Sequence, residues 1–360
     1  MDKALLDLYA DYLISSFSAT TATGLADVLD QAISHDQITR FLAARPLTSA
    51  DLWHLVKPLV RQVESAEGVL IVDDRIEEKP YTDENELITW HFDHSKDRVV
   101  KGINFLTTLY CVGAVSLPVA YELVTKTETV VDKKTGKPRK KSAVTKNARY
   151  RTMLRACRRN QIPCRFVLND VWSASAENMQ FVKHDLQQDF IMPIKANRKV
   201  ALSLADKHCG VYVAVEALAL EADTLQEVYL DEVDFPLLLT KHVFTNEDGG
   251  TGVLYLVTSD VTLTAEQIVT FYHTRWKVEQ YHKSLKQNAS LAKSPTRTVV
   301  TQSNHFFAAV CAFIKLESLK RKTSLNHFAL KSKIYLAALH TAFGELQRLA
   351  PTELVHPATA

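Results

Sequence analysis

The segment "GVLIVDD", residues 68–74, constrains the fold more than any other part of the chain. It is a continuous apolar run that ends in two acids, which is typical of a strand buried on both faces of an α/β sheet. The segments after it predict, in order, two more strands, a helix, a strand, a second helix and a strand. The sequence therefore predicts an α/β protein built around a mixed sheet.

Each of these elements has its own pattern. The later strands are "VVKGINFLTTLYCVG", "AVSLPVAYELV", "CRFVLND" and "DFIMPIKAN", and the helices are "KNARYRTMLRACRRN" and "SASAENMQFVKHDLQQ". Three strands, a helix, a strand, a helix and a strand is the element order of the ribonuclease H-like fold. We therefore predict that fold for residues 66–197 together with residues 261–300.

The remaining segments predict a helical domain, a β-rich insertion and a C-terminal helical region. Residues 1–65 have helical spacing, and "HDQITRFL" within them is either the second helix of a DNA-binding helix-turn-helix or part of a plain helical bundle. Residues 198–260 are strand-like around the turn cluster "NEDGGTG". Thr264 and Gln267 match a capping box, and residues 301–360 predict further helices.

Composition and charge limit the partners and the compartment. The net charge is only +2, so any affinity for nucleic acid must come from local basic patches. The five cysteines form no C-x-x-C pair and their number is odd, so neither a zinc site nor a disulfide framework is indicated and a reducing cytosol fits. The N-terminus carries acids where a signal peptide needs positive charge, and no apolar run reaches the ~18 residues that span a bilayer.

Acidic residues follow two of the predicted strands and recur in a later helix. Asp73 and Asp74 end the first strand, Asp170 ends "CRFVLND", and Glu279 lies in "YHTRWKVEQYHKSLK". Acids at strand ends are often ligands, because the strand ends open into a crevice, although such acids also form turns and cap helices. Three carboxylates suit two Mg²⁺ ions, which prefer oxygen ligands.

The segment at residues 272–286 predicts one basic helix with a single acid in it. At about 100° per residue, Tyr272, Arg275, Glu279 and Lys286 fall within an arc of about 60°. Glu279 is either an exposed i,i+4 partner of Arg275, worth roughly a few tenths of a kcal/mol, or a metal ligand. In the second case Arg275 and Lys286 hold phosphates on either side of it, and Tyr272 stacks on a base or hydrogen-bonds a phosphate.

Tyrosine, two residues, arginine, three residues, glutamate, six residues and lysine form a signature whose spacings all match in this segment. On these residues, and on "VDDRIEEKP", "VLNDVWSASAENMQF" and "FIMPIKANRKV", the chain resembles bacterial insertion-sequence transposases of the DDE type. The resemblance covers about residues 65–320. The long separation between Asp170 and Glu279 fits it as well, because that group carries a β insertion at this place.

The resemblance implies a metal-dependent DNA transposase that cleaves transposon ends and transfers them to target DNA by cut and paste. It implies that Asp73, Asp170 and Glu279 are catalytic and hold two Mg²⁺ or Mn²⁺ ions, with Asp74 as the other choice for the first aspartate. Two positions after that aspartate the family usually has a small hydroxyl residue, where this chain has Arg75. The implied partners are double-stranded DNA with terminal inverted repeats, target DNA and a second copy of the chain in a synaptic complex, at the nucleoid of a bacterial cytoplasm.

A basic segment at residues 133–155 contains ten Lys or Arg residues and no acid. Its "DKKTGKPRKKS" predicts a hairpin tip that is either only solvated or binds the DNA backbone through cations such as Lys137, Arg139 and Lys140. Further expected contacts to the DNA backbone come from Lys195 and Arg198.

Two rival interpretations use the same acids. A domesticated or decayed transposase would bind DNA without cutting it, and the intact acids argue against this alternative. A glycosidase also uses paired carboxylates, but sugar-binding sites are rich in aromatic residues and not in Arg and Lys. Finally, "WHFDH" contains His91 and His94, which are either metal ligands or residues of a half-exposed strand.

Overall fold

The computed structural model describes residues 2–94, 96–131, 136–245 and 249–349. The helices are α1 (Lys3–Ser15), α2 (Ala22–Val28), α3 (His35–Leu42), α4 (Ser49–Val63), α5 (Lys146–Arg159), α6 (Ala176–Gln180), α7 (Leu204–His208), α8 (Ala265–His273), α9 (Trp276–Gln287), α10 (Val299–Thr323) and α11 (His327–Leu349). The strands are β1 (Val69–Glu78), β2 (Ile88–Asp93), β3 (Arg98–Val112), β4 (Val115–Leu123), β5 (Glu128–Val131), β6 (Pro138–Lys141), β7 (Phe166–Asn169), β8 (Asp189–Ile194), β9 (Lys199–Val200), β10 (Val213–Ala214), β11 (Leu225–Val228), β12 (Leu237–Thr245) and β13 (Thr251–Thr258).

The chain divides into two compact units. One is drawn from residues 1–41, 284–295 and 308–360, and the other from residues 42–283 and 296–307. All strands within the described residues belong to the second unit, whereas the first consists of helices and their connections.

A nine-stranded mixed sheet forms the core of the strand-containing unit. Its order is β11-β12-β13-β8-β7-β1-β3-β2, and β4 also pairs with β3. β1 runs antiparallel to β3 and parallel to β7, and β7 runs parallel to β8. The path β4-β3-β1-β7-β8 has the strand order and directions of a ribonuclease H-like sheet. The predicted fold class is confirmed.

The parallel centre of the sheet is buried on both faces. Ile71, Leu168 and Ile191, one from each of the three central strands, are fully buried. α5 packs against β3 and β4, and its Tyr150 and Met153 are buried. Strands covered on both faces need apolar side chains in both directions, which is why "VLIV" and "FVL" are continuous and do not alternate.

The sequence analysis predicted that the first strand ends at the two acids. In the structure β1 continues to Glu78. Antiparallel β3 pairs with β1 throughout, including Asp73 and Asp74. Parallel β7, in contrast, pairs with β1 only as far as Val72. The acids therefore lie within a strand, at the point where one of its neighbours ends and the other continues.

The predicted β-rich stretch lengthens the central sheet. β13 pairs antiparallel with β8, and β12 and β11 follow beyond it. β9 and β10 form a separate two-stranded ribbon, and the short helix α7 lies between them in sequence. This addition pairs the edge of β8, which would otherwise expose unpaired backbone groups.

Ion pairs join two helices of the helical unit. Asp2 caps α1 by accepting a hydrogen bond from the backbone N–H of Leu5 at 3.0 Å. Lys315 of α10 pairs with Asp7 at 2.8 Å and with Asp11 at 2.6 Å, and so holds α10 against α1.

α3 corresponds to the candidate recognition helix "HDQITRFL". It buries Ile38 and exposes His35, Gln37 and Arg40. Six residues, 29–34, connect it to α2, which is longer than the 3–4-residue turn common in helix-turn-helix motifs. DNA binding by this helix stays a prediction.

α10 is the one helix within the described ranges that is long and apolar enough to cross a membrane, and 78% of its most apolar stretch is buried. Its Phe306 packs on Phe105 and Tyr121, with ring centroids 4.8 and 5.1 Å apart. The apolar composition of α10 is therefore that of a core helix.

Candidate active site

The strand register brings two aspartates to one edge of the sheet. Val72 of β1 pairs with Asn169 of β7, and the next residue in each strand direction is the aspartate, Asp73 or Asp170. Because parallel neighbours advance together, residues almost a hundred positions apart in the chain lie side by side. The site begins with this pair.

A cavity of about 500 Å³ opens at this edge. Its lining includes all four predicted acids: Asp73 and Asp74 from β1, Asp170 after β7, and Glu279 from α9. Its remaining lining residues are Val72, Arg75, Ile76, Phe92, Asp93, His94, Leu106, Thr145, Lys146, Asn147, Trp172, Ser173 and Arg275.

Asp73 is the most deeply buried of the four acids. Its side chain is 11% exposed, and within the described residues it has no hydrogen-bond donor. The pKa of Asp73 is raised well above its usual value, first by burial and then by the negative charge of Asp170, against which the guanidinium of Arg275 acts. A buried carboxylate with this much negative charge around it favours a bound cation.

His282 lies behind Asp73, with its Nδ1 3.8 Å from a carboxylate oxygen. The imidazole is buried, and neither ring nitrogen has a hydrogen-bond partner among the residues that the structure describes. Burial lowers the pKa of His282 to about 3, so the ring is neutral at physiological pH. His282 therefore does not neutralise Asp73.

Asp74 differs from Asp73 because two donors hold it. Lys146 Nζ and Asn104 Nδ2 donate to the same carboxylate oxygen at 2.5 and 3.0 Å. Lys146 is the first residue of α5, whose N-terminus is capped by the side chain of Thr145. Asp74 thus already has a cationic partner at hydrogen-bond distance, whereas Asp73 faces the guanidinium of Arg275 without a hydrogen bond to it in the part of the chain that the structure describes.

Asp170 is held by the turn that follows β7. Its Oδ1 accepts a hydrogen bond from the backbone N–H of Ser173 at 3.1 Å. The pKa of Asp170 is raised, first by burial and then by the charge of Asp74, although the hydrogen bond from Ser173 opposes the rise. A bound cation would therefore offset the negative charge around Asp170, as it would around Asp73.

The segment at residues 272–286 is not one regular helix, which corrects the sequence-based geometry. α8 ends at His273 and α9 begins at Trp276. Between them the backbone N–H groups of Arg275 and Val278 bond three residues back, to Tyr272 and Arg275. Such i→i+3 bonds tighten the turn and change the angle per residue, so the uniform 100° projection does not apply across this junction. The capping box predicted at the start of α8 is confirmed.

Tyr272 points into the protein. The residue is only 9% exposed, and its hydroxyl donates to the backbone carbonyl of Asn169 at 3.2 Å. Burial raises the pKa of Tyr272, so it stays a phenol. The sequence analysis placed this ring on a base or a phosphate, whereas here it supports the strand end before Asp170.

Glu279 lies between two arginines. Its carboxylate is 3.7 Å from Arg275 and 3.9 Å from Arg75, the residue that replaces the usual small hydroxyl. Arg275 was predicted to be exposed, but only 17% of its side chain is accessible. Burial disfavours its charge, yet Tyr272 and the nearby carboxylates, Asp73 first among them, raise the pKa of Arg275.

The other predicted DNA-binding residues lie outside this cavity or at its margins. Lys286 is exposed near the end of α9, in residues that belong to the helical unit. Lys195 and Arg198 line a second cavity of about 570 Å³. The basic hairpin is present as β5 and β6, and Lys137, Arg139 and Lys140 belong to it or to its turn. The predicted basic residues Lys133 and Lys134 lie outside the described residues.

Two family models match the chain. The model for the DDE superfamily endonuclease matches residues 2–207, and the model for the transposase DDE domain matches residues 120–314. Each match spans more than half of the chain. The chain belongs to the DDE transposases. Comparison with curated proteins gave no match. The activity of this family is transposase-type cleavage of DNA and strand transfer, and the family uses divalent metal ions.

The carboxylates of this family member fit a divalent metal by their chemistry. Asp73, Asp170 and Glu279 would supply the oxygen ligands that Mg²⁺ and Mn²⁺ prefer. Burial, and after it the charge of a neighbouring carboxylate, raises the pKa of both aspartates, and a bound cation would oppose both effects. Within the described residues no three His, Cys, Asp or Glu side chains already stand in ligating positions. Binding would therefore require side-chain rotation in the cavity. Two histidines were also considered as ligands. His91 is buried and bonded to Thr89 Oγ1 at 2.8 Å, and the ring of His94 stacks on Trp172 at the margin of the cavity.

Several residues of the cavity were not found from the sequence. Lys146 was one of ten cations in a basic segment, and nothing local distinguished it. Asn104 lies within an apolar strand, where a polar residue is itself a signal for a buried contact. Trp172 follows Asp170 by two positions, and an aromatic residue so close to a strand-end acid was the available signal.

Proposed function

We propose that this transposase cuts DNA at the ends of a bacterial insertion sequence and joins the released ends to target DNA by cut and paste. We place it in the group with the signature Tyr272, Arg275, Glu279 and Lys286. The observation that carries the proposal is that Asp73, Asp170 and Glu279, from three elements, line a single cavity.

Cleavage of a phosphodiester forms a bond between a water oxygen and phosphorus and breaks the bond between phosphorus and O3′, which leaves as a hydroxyl. In strand transfer the freed 3′-hydroxyl forms the new bond to a target phosphorus, and a target O3′ leaves. Asp73, Asp170 and Glu279 would hold the ions, and two bound Mg²⁺ ions supply activation of the attacking oxygen and stabilisation of the leaving one.

The chain supplies its own cations around these carboxylates. Arg75, Lys146 and Arg275 line the cavity together with the acids. A phosphate that enters the cavity meets these positive groups, which orient it while the carboxylates repel it. Arg275 is the least exposed of the three, with 17% of its side chain accessible.

Contacts to the rest of the duplex are proposed for the cations beyond the cavity. The hairpin residues Lys137, Arg139 and Lys140, together with Lys286, would bind backbone phosphates without reading sequence. Sequence-specific binding of the inverted repeats is proposed for α3, whose exposed face carries Gln37 and Arg40.

A second copy of the chain is proposed as the partner in the synaptic complex, because two transposon ends need two sites and each chain offers one. α11 carries a row of exposed apolar side chains that suits such a partner. These are Tyr335, Leu336, Leu339, Phe343, Leu346 and Leu349.

The test uses the purified protein and duplex DNA taken from both sides of its gene. We expect Mg²⁺-dependent nicking at inverted repeats, and its loss in Asp73→Asn, Asp170→Asn and Glu279→Gln. Glu67→Gln is the control, because Glu67 is an exposed carboxylate paired with Arg165 outside the cavity. Specific binding without nicking by the wild-type protein would support a DNA-binding transposase derivative instead. If the wild-type protein neither binds nor nicks these DNAs, the proposal is overturned.

A further inference from the structure

A buried asparagine lies behind the turn that holds Asp170. Asn178 of α6 is fully buried, and its side-chain NH₂ group donates to the backbone carbonyl of Ser173 at 2.9 Å. Ser173 is also the residue whose backbone N–H binds Asp170 Oδ1 at 3.1 Å. Asn178 therefore holds Ser173 at its carbonyl, while the N–H of Ser173 holds the carboxylate of Asp170.

The NH₂ group of Asn178 also reaches the first turn of α5. It donates to Asn147 Oδ1 at 3.2 Å. Asn147 lines the carboxylate cavity next to Lys146, which is the cationic partner of Asp74. The two N–H donors of one asparagine thus join the turn after β7 to the start of α5. These two segments orient Asp170 and Asp74, respectively.

Arg151 fixes the orientation of the Asn178 amide. Its Nη1 donates to Asn178 Oδ1 at 2.9 Å, and its Nη2 lies 2.9 Å from Glu177 Oε1. A guanidinium can only donate and the Ser173 carbonyl can only accept, so the amide oxygen must face Arg151 and the amide nitrogen must face Ser173. A rotated amide would lose all of these bonds at a buried position, where each unmade hydrogen bond is costly.

From this network we infer that Asn178 is a positioning residue for Asp170. It holds the turn at Ser173 against the start of α5 and so keeps the Asp170 carboxylate in one orientation at the edge of the cavity. Carboxylates that bind metals are oriented by hydrogen bonds from residues outside the ligand set, and loss of such a partner weakens metal binding. The inference rests on the proposed function for the metal, and it adds a residue that is itself not part of the cavity lining.

The experiment measures Mn²⁺ binding by calorimetric titration in the absence of DNA. The variants are Asn178→Ala and Asn147→Ala. Hydrogen–deuterium exchange of residues 170–176, measured in EDTA, reports on the turn itself and needs no metal. Urea unfolding measures the stability of each variant. Metal affinity and local exchange together distinguish a positioning role from a general contribution to folding.

Asn304→Ala is the matched control. Asn304 is 2% exposed, and its amide also bonds on both sides: it donates to the carbonyl of Leu42 at 3.0 Å and accepts from the N–H of Leu47 at 2.8 Å. It does not line the carboxylate cavity. The control therefore removes a buried, fully bonded amide of the same kind from another part of the same unit.

Asn178→Ala should weaken Mn²⁺ binding by about tenfold, the lower end of the ~10–100-fold range for loss of an outer-shell partner, because Asn178 acts through Ser173. It should also speed exchange in residues 170–176. Asn147→Ala should weaken Mn²⁺ binding by about two- to fivefold, since one hydrogen bond is lost while Ser173 keeps its donor. Asn304→Ala should lower stability and leave both the Mn²⁺ affinity and the exchange of residues 170–176 as in wild type.

The inference is overturned if Asn178→Ala loses stability as Asn304→Ala does but binds Mn²⁺ within about twofold of wild type. Asn147 is partly exposed in the first turn of a helix, where alanine is well tolerated, so this variant tests the inference even if Asn178→Ala does not fold. Wild-type affinity and exchange in Asn147→Ala would then overturn it.

These outcomes are separate from a failure of the proposed function. If the wild-type protein binds Mn²⁺ and nicks transposon ends, wild-type affinity in the variants rejects the positioning role of Asn178 alone. If the wild-type protein neither binds Mn²⁺ nor nicks these ends, the proposed function fails and the positioning role fails with it.

Discussion

The hydroxyl of Tyr272 donates a hydrogen bond to the backbone carbonyl of Asn169, 3.2 Å away, and so ties α8 to the strand end that leads into Asp170. The signature tyrosine therefore faces the protein interior. Its neighbour in the signature, Arg275, has its guanidinium 5.9 Å from the same ring. The signature segment therefore supports the strand end before Asp170 through Tyr272, and it also contributes Glu279 to the lining of the cavity.

Tyr272→Phe should destabilise the fold by about 1 kcal/mol, because the buried carbonyl of Asn169 loses its side-chain donor. Urea unfolding measures the change. DNA affinity, measured by anisotropy, should stay within about twofold of wild type. Unchanged stability with a large loss of affinity would show that Tyr272 contacts DNA.

Asp73→Asn should abolish nicking and raise the melting temperature in EDTA. Loss of a direct ligand should cost at least about 100-fold in rate, since loss of outer-shell partners already costs about 10–100-fold. Stability should rise because the neutral amide removes a buried charge whose pKa is raised by burial and by Asp170. Mg²⁺ should stabilise the wild-type protein and have much less effect on this variant.

Asp74→Asn is the comparison for that variant. Asp74 already has Lys146 and Asn104 as donors, so we expect a smaller loss of nicking than for Asp73→Asn. The reverse order would make Asp74 the metal ligand and would leave the mechanism otherwise intact.

Lys146→Met should tighten Mn²⁺ binding by about two- to fivefold, the worth of one partly exposed ion pair. The ammonium lies 2.5 Å from Asp74 and repels any cation that enters the cavity. Calorimetric titration with Mn²⁺ gives the affinity without relying on cleavage. Lys96→Met is the control, because Lys96 pairs with Glu78 at similar exposure and does not line the cavity. Weaker Mn²⁺ binding would mean that Lys146 holds Asp74 in place for the metal.

Arg275→Ala should lower stability in EDTA by roughly 1–3 kcal/mol, more than an exposed pair and less than a fully buried one. Its guanidinium is the main cation facing Asp73, and 17% exposure gives little screening. Arg155→Ala is the control, since its pair with Asp185 is half exposed on both sides and should matter by at most about 1 kcal/mol. Equal stability of the two variants in urea unfolding would indicate that Arg275 contributes no more than an exposed partner of Glu279.

Reversing Lys137, Arg139 and Lys140 to Glu should weaken binding to all duplexes alike. The slope of log affinity against log salt should become less steep by about 0.9 for each lost phosphate contact. Lys140 also lies 3.7 Å from Glu84, so the melting temperature must be measured alongside. The matched reversal places Glu at the exposed cations Arg321, Lys322 and Lys333 of the helical unit. An unchanged salt slope would remove the hairpin from the DNA interface.

Local patterns in the sequence determined the fold class and the set of acids. Continuous apolar runs predicted β1 and β7 because a strand covered on both faces must be apolar in both directions. The capping box at Thr264 was predictable because both of its hydrogen bonds lie within four residues. The spacing of the signature predicted Glu279 as the third acid, and Glu279 lines the same cavity as Asp73 and Asp170. All these signals act over a few residues, or over the order of elements.

The tertiary structure alone decided what surrounds those acids. β1 continues past Asp73 because β3 pairs with it there. This pairing partner lies about thirty residues away, so the residues "VDD" alone do not predict that the strand continues. The tightened junction at Arg275 and the burial of Tyr272 follow from the packing of α8 under the end of β7. Tyr272 and Glu279, which were predicted to share one helix face, therefore lie in the protein interior and in the cavity lining, respectively. Lys146 and Trp172 acquire their places from the ends of α5 and β7, since contacts between distant segments depend on register and packing and not on neighbouring residues.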